Sequence, residues 1–173
     1  MRADELRSLQ APLKEQYRAD AEAALVTLSA TGTLDEGVSC SVQTGAAVAA
    51  MAGLHPATGG DGSLLCSGDM LLEALVACAG VTLRAVATSL EVPVAGGAVT
   101  ASGDLDFRGT LAVDRDAPVG FRSIRLSFDL DAPDATPDQL ATLLKLTERY
   151  CVVFQTLAKP PELSVSVGAA ADG

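Results

Sequence analysis

An α+β domain built on antiparallel sheet is the fold class the sequence predicts. Three observations carry it. Two stretches alternate apolar and polar residues with a period of two, Val99 to Phe107 and Ile124 to Leu130. A long apolar run, Met70 to Leu90, consists mostly of helix formers. A capping box, Thr136-Pro137-Asp138-Gln139, opens a second strong helix. Helices and strands thus come in separate blocks, not in strict βαβ alternation.

The elements follow in order. Leu6, Leu9, Leu13 and Tyr17 lie at near-helical spacing within residues 3–17, predicting a short amphipathic helix that Pro12 should bend or interrupt. Ala24 to Ala30 and Val38 to Thr44 read as strands, with TGTLDEG between them as a hairpin turn. Residues 46–54, AAVAAMAGL, read as a third strand flanked by Gly45 and Gly53, and HPATGGDGS follows as a Gly-rich loop. Ser67, Gly68 and Asp69 stand where the N-cap and first turn of the long helix belong. That helix has the length of a membrane span, but Glu73 and Arg84 interrupt it and no second span exists. It is therefore expected to be a central helix, buried by sheet or by a partner subunit. The two alternating strands come next, separated by the turn VDRDAPVG. The capped helix runs to about Cys151, a short helix covers VVFQTLA, and Leu163, Val165 and Val167 form a last strand before a loose AADG tail. Residues 1–20 are expected to be a helical extension and 21–173 a single domain.

Composition narrows the function. The 173 residues carry 12 basic and 22 acidic side chains, a net charge of −10, and are 49% hydrophobic. That excludes a disordered acidic protein. With two Tyr, four Phe and no Trp there is no basic, ring-lined groove for nucleic acid, and an anionic membrane surface is disfavoured by the same charge. Met1 to Arg18 is charged throughout and lacks a signal-peptide core, so a reducing cytoplasmic compartment with free thiols is expected. The cysteines, Cys40, Cys66, Cys78 and Cys151, are spaced 26, 12 and 73 residues apart. Zinc sites use close ligand pairs, so no metal site is expected. His55 is the single histidine and lies before a proline in a loop, a poor setting for a Ser-His-Asp triad. ATGGDGS lacks the Lys-Ser/Thr ending of a phosphate loop, and no cofactor is expected. Thiol chemistry remains.

At the central helix, GGDGSLLCSGDMLLEALVACAGVTLRAV resembles the OsmC/Ohr family of osmotic- and organic-peroxide-stress proteins, in which a Gly-containing loop and an acidic residue open a buried helix bearing a cysteine. LATLLKLTERYCVVFQTLAKPPELSVSV resembles the family's second cysteine segment. The resemblance covers about residues 24–168. It implies an OsmC-like fold, with antiparallel sheets wrapped around a long buried helix in an intertwined homodimer. It implies a peroxidatic Cys78 and a resolving Cys151, reducing organic hydroperoxides or another small apolar substrate and restored by a thiol reductant. Asp69 matches the acid of a divergent branch at the helix start, which makes it a candidate catalytic-site residue beside the two cysteines; the alternative is a carboxylate that only offsets the helix dipole. The sequence departs from the family in two places. No Arg lies in TGTLDEG or HPATGGDG to activate the thiol, and Val152 stands where the second cysteine usually has a flanking Pro. A buried Cys78 without a cation should have a raised pKa, and Arg18, Arg84 and Arg149 are the candidate substitutes. Cys40 reads as packing. Cys66, just before the helix, reads either as a small polar position or as a third functional thiol. The alternative to an enzyme is a non-catalytic dimer that binds an apolar small molecule or a protein in the same cleft.

Overall fold

The computed structural model describes residues 1–35, 37–43 and 49–167. Helix α1 spans Ala3–Ala19 and is started by the Glu5 carboxylate, which accepts the Arg2 backbone N–H at 2.9 Å. Pro12 does not interrupt it. The imino ring removes one backbone donor from a 17-residue helix, and the remaining ladder carries the element across it. The Arg7–Glu91 ion pair, at 3.5 Å, ties α1 to the far end of the central helix.

The next segment corrects the sequence reading. Ala24 to Ala30 is not a strand: Glu22–Ala24 is a 3₁₀ turn, and no regular structure follows until β1, Gly32–Leu34. Thus β1 lies inside the stretch expected to be a turn. The chain reverses between Leu34 and β2, Ser39–Gln43, where Asp35 N–H donates to the Ser39 carbonyl, Ser41 Oγ donates to Asp35, and Gly37 takes φ +75°. β2 pairs antiparallel with β3, Ala49–Gly53. Thr44 and residues 46–48 of the expected strands lie outside the described residues, as does the AADG tail. β3 then pairs in parallel with a strand the periodicity did not announce, β4, Leu65–Cys66. The four-stranded sheet is therefore mixed and not purely antiparallel.

β4 runs directly into α2, Ser67–Leu90, whose N-cap is Cys66 and not Ser67. The helix is long and apolar enough to cross a bilayer, yet it is not buried all round. Leu75, Ala79, Leu83 and Ala87, at i, i+4 spacing, form its buried stripe. The opposite face, Ala74, Ala77 and Val81, is exposed in the single chain, Val81 to 72%.

The buried stripe packs on a two-stranded antiparallel sheet, β5 (Gly96–Asp104) and β6 (Ser123–Asp131), paired from Gly96–Asp131 to Asp104–Ser123. Alternation sets its faces: Ile124, Leu126, Phe128 and Leu130 turn inward, Arg125, Ser127 and Asp129 outward. β5 ends three residues short of Phe107, because Asp106 turns the chain by accepting the Arg108 N–H and caps a one-turn helix, α3 (Phe107–Thr110). Helix α4, Pro137–Tyr150, starts as predicted. Gln139 Oε1 accepts the Thr136 N–H at 2.8 Å, and Thr136 Oγ1 accepts the Gln139 N–H at 3.2 Å. A one-residue joint, Cys151, leads to α5, Val152–Ala158. Residues 163–167 are not a strand but a fully exposed segment, Val165 to 96%. Like Ala24 to Ala30, they carry a strand pattern, but among the described residues no strand pairs with them.

Two buried clusters hold these layers. Leu83, Ala87, Val92 and Leu143 join α2 to α4, and Leu75, Ala79 and Cys151 join α2 to the α4–α5 joint. The second cluster sets the geometry of the thiols.

Candidate functional site

Cys78 is one turn after Leu75, on the edge between the buried stripe and the open face of α2. Cys151 is 1% exposed. It is both the last cap of α4 and the first of α5: its N–H donates to the Thr147 carbonyl and its carbonyl accepts the Gln155 N–H, each at 2.9 Å. The packing of α4 and α5 on α2 brings the two thiols, 73 residues apart in sequence, into side-chain contact, and both are free.

The contact is asymmetric. Burial pushes Cys78 up, but the Val153 amide, the Cys151 thiol, the Val152 amide and the Thr82 hydroxyl outweigh it, so its pKa lies below the ordinary thiol value. The amides are available because the first N–H groups of α5 have no intrahelical acceptor. Cys151 moves the other way. Burial raises it, and the neighbouring Cys78 raises it further, against a partial offset from the Phe154 amide. The two shifts thus run in opposite directions, Cys78 toward the thiolate and Cys151 toward the protonated thiol.

This corrects the expectation of a raised Cys78 pKa. None of the three candidate arginines is among the strongest influences on that thiol. Arg84 donates to the Val94 carbonyl at 2.7 Å, Arg149 lies over the Tyr150 ring at 5.6 Å, and Arg18 is exposed on α1. The lowering comes from two backbone amides, a thiol and a hydroxyl, with no cation among its main causes. The sequence held two signals for this: Thr82, one turn beyond Cys78, and Val152, which keeps an N–H where a proline would have none.

Val152→Pro tests the amide. Cys151 already has the extended backbone, φ −72° and ψ 108°, that a residue before proline requires, and proline suits the first helical position. Removing a donor to the thiolate raises its pKa. With about 1.5 kcal/mol per charged hydrogen bond, the pH midpoint of Cys78 alkylation should rise by about one unit, while Val152→Ala leaves it in place. An unmoved midpoint in Val152→Pro rules the amide out.

The other predicted residues are not gathered here. Asp69 is exposed in the first turn of α2. Nine residues at 100° each place it on the opposite side of the helix from Cys78. Cys66 lines a separate pocket of about 390 Å³ with His55, Leu71, Phe107 and Phe121, and makes no capping hydrogen bond. His55 accepts the Ala57 N–H at Nδ1 and stacks on Phe107, ring centroids 4.9 Å apart, so it organises its own turn. Cys40 is half-buried in β2 beneath Gly32, where a Cβ would come within 2.8 Å of its sulfur.

Two apolar grooves flank the thiol cluster and share Leu126 and Phe154. One, of about 380 Å³, reaches Cys151 past Leu144 and Thr147. The other, of about 540 Å³, extends between α2, β6 and α5. Sequence reading missed both, because their walls come from elements far apart in the chain.

No curated protein matches the chain. Among solved structures, an OsmC-like protein from Mycoplasma pneumoniae superposes with a TM-score of 0.64 at 17% identity, over 78% of this chain and 89% of that one. An organic hydroperoxide resistance protein OsmC from Legionella pneumophila gives 0.61 at 15% identity, over 78% and 91%. An organic hydroperoxide resistance protein from Elizabethkingia anophelis gives 0.59 at 16%, over 79% and 91%. These likenesses establish a shared fold. The family model for OsmC-like proteins matches residues 60–166, which span α2, the β5–β6 sheet and both cysteines of the contact pair. The chain belongs to the OsmC-like protein family.

Proposed function

We propose that this protein is a cysteine-based peroxidase that reduces organic hydroperoxides, with Cys78 as nucleophile and Cys151 as resolving thiol. The observation that carries the reading is the side-chain contact between half-buried Cys78 and buried Cys151, supported by a thiol pKa lowered at the first and raised at the second. The Cys78 thiolate attacks the distal oxygen of ROOH, the O–O bond breaks, and Cys78 becomes sulfenic acid while RO⁻ leaves and is protonated to the alcohol. Cys151 then attacks the sulfenic sulfur, releasing water and closing a disulfide. An external dithiol returns both sulfurs to thiols. Asp69 serves the start of α2, its carboxylate offsetting the positive end of the helix. Four free thiols suit a reducing, cytoplasmic setting.

The working unit in this reading is a homodimer. Its support is what the single chain leaves open: the Ala74–Ala77–Val81 face of α2, bordered by Cys78, and two strand-patterned segments without a ladder.

One equivalent of cumene hydroperoxide added to reduced protein without air should consume two thiols per chain and yield a Cys78–Cys151 disulfide by peptide mass mapping. Excess dithiol should make the consumption catalytic. Retention of all four thiols overturns the reading. It would leave the second one, an apolar-ligand binder without turnover, which draws on the 540 Å³ groove.

A further inference from the structure

Breaking an O–O bond leaves a negatively charged oxygen that needs a proton, and the surroundings of the thiol pair offer few groups to supply one. Leu75, Ala79, Val99, Leu126, Phe128 and Phe154 pack around the pair. An alkoxide expelled into that apolar cluster without a proton is an unpaired buried charge, which is costly. The charged residues on the walls of the two flanking grooves, Arg122, Lys145 and Glu148, are exposed, and none is among the strongest influences on either sulfur. The hydroxyls of Thr82, beside Cys78, and of Thr147, on a groove wall, are themselves alcohols, no more acidic than the group to be protonated.

Cys151 remains. A thiol ordinarily ionises near pH 8.5 and is a far stronger acid than an alcohol. This one touches Cys78 and is 1% exposed. Burial first, and then the neighbouring Cys78, raise its pKa, which favours a proton on the sulfur until a stronger base forms beside it. The grooves add a direction. Cys151, and not Cys78, lies on the wall of the groove of about 380 Å³. A hydroperoxide that enters there with its terminal oxygen toward Cys78 trails its R–O portion past Cys151. The leaving oxygen then forms beside the second thiol.

We infer that Cys151 is the acid of the first step as well as the nucleophile of the second. As the Cys78 sulfur bonds to the distal oxygen and the O–O bond breaks, the Cys151 S–H proton passes to the departing oxygen, which leaves as ROH. The electron pair of the S–H bond stays on Cys151 as a thiolate. That thiolate attacks the sulfur of the Cys78 sulfenic acid, closes the disulfide and expels hydroxide, which takes a proton from solvent to become water. The inference rests on the peroxidase reading and deepens it. Protonating the leaving group arms the resolving thiol, so Cys151 becomes a nucleophile only once Cys78 has been oxidised.

The test uses two oxidants that differ in leaving group. Cumene hydroperoxide expels an alkoxide that needs a proton, and peracetic acid expels acetate, which does not. Reduced protein is mixed with each without air, quenched at increasing times, and oxidation of Cys78 is read by peptide mass. In Cys151→Ala and in the near-isosteric Cys151→Ser, oxidation of Cys78 by cumene hydroperoxide should slow about a hundredfold without being abolished. With peracetic acid the rate should stay within about twofold of wild type. A substitution that merely displaced Cys78 or changed its ionisation would slow both oxidants alike. An unchanged cumene hydroperoxide rate in both variants, or equal slowing with both oxidants, overturns the acid role and leaves Cys78 as the peroxidatic residue. Wild-type Cys78 that reacts with cumene hydroperoxide no faster than free cysteine overturns the peroxidase reading and this inference together.

Discussion

Cys78→Ser is expected to abolish hydroperoxide consumption, by roughly a thousandfold or more, because a serine hydroxyl at this position cannot ionise at neutral pH to attack the O–O bond. The surroundings of Cys78 act on a thiol that is already weakly acidic; the same amides cannot bring an alcohol into range. Cys151→Ser should behave differently. The first chemical step survives, and the sulfenic acid at Cys78 persists because no neighbouring thiol condenses with it. Intact-mass measurement after one equivalent of peroxide should then show one added oxygen per chain, trapped by dimedone at Cys78. Cys40 and Cys66 should remain reduced throughout, since neither touches the pair. Wild-type turnover by Cys78→Ser, or an oxygen found on Cys66, refutes the assignment of roles.

The purified chain is expected to sediment with the mass of two chains, and Val81→Asp to sediment with the mass of one. Val81 is 72% exposed in the isolated fold, so a polar side chain there costs a monomer no more than about 0.5 kcal/mol. If the open face of α2 is covered by a second copy, the same carboxylate is buried without a partner, at a cost of several kcal/mol. Each 1.4 kcal/mol is tenfold in the dissociation constant, so the loss of association should exceed a hundredfold. Thermal melting separates the two cases, because a monomer with an unaltered core keeps its cooperative transition. A wild-type chain that sediments as a monomer at micromolar concentration removes the dimer from the proposal.

Elements with local causes were legible. The Thr136–Gln139 box closes two hydrogen bonds within four residues, and α4 begins where those residues say it must. The alternation of Ile124 to Leu130 needs only a sheet with one buried face, and β6 has one. Ala24 to Ala30 and Leu163 to Val167 show the limit. Their pattern is strand-like, but a strand exists through a neighbour's hydrogen bonds, and among the described residues none pairs with them. β4 was missed for the converse reason. Two residues carry no period, and only pairing with β3 makes them a strand. The long helix was legible as a helix, but not which part of it this chain covers, the Leu75–Ala79–Leu83–Ala87 stripe, since an all-round apolar surface does not distinguish its faces.

By itself the sequence determined the α+β class, the starts of the main helices and the family to which the chain belongs. All of these rest on interactions within a few residues or on motifs of a few tens. Tertiary structure decided which cysteine is acidic. The pKa of a thiol responds to dipoles a few ångströms away, and those around Cys78 belong to Val152 and Val153, more than seventy residues along the chain. The search for an arginine nearby in sequence could not find them, because packing of α4 and α5 on α2, and not proximity along the backbone, brings the first turn of α5 to the sulfur.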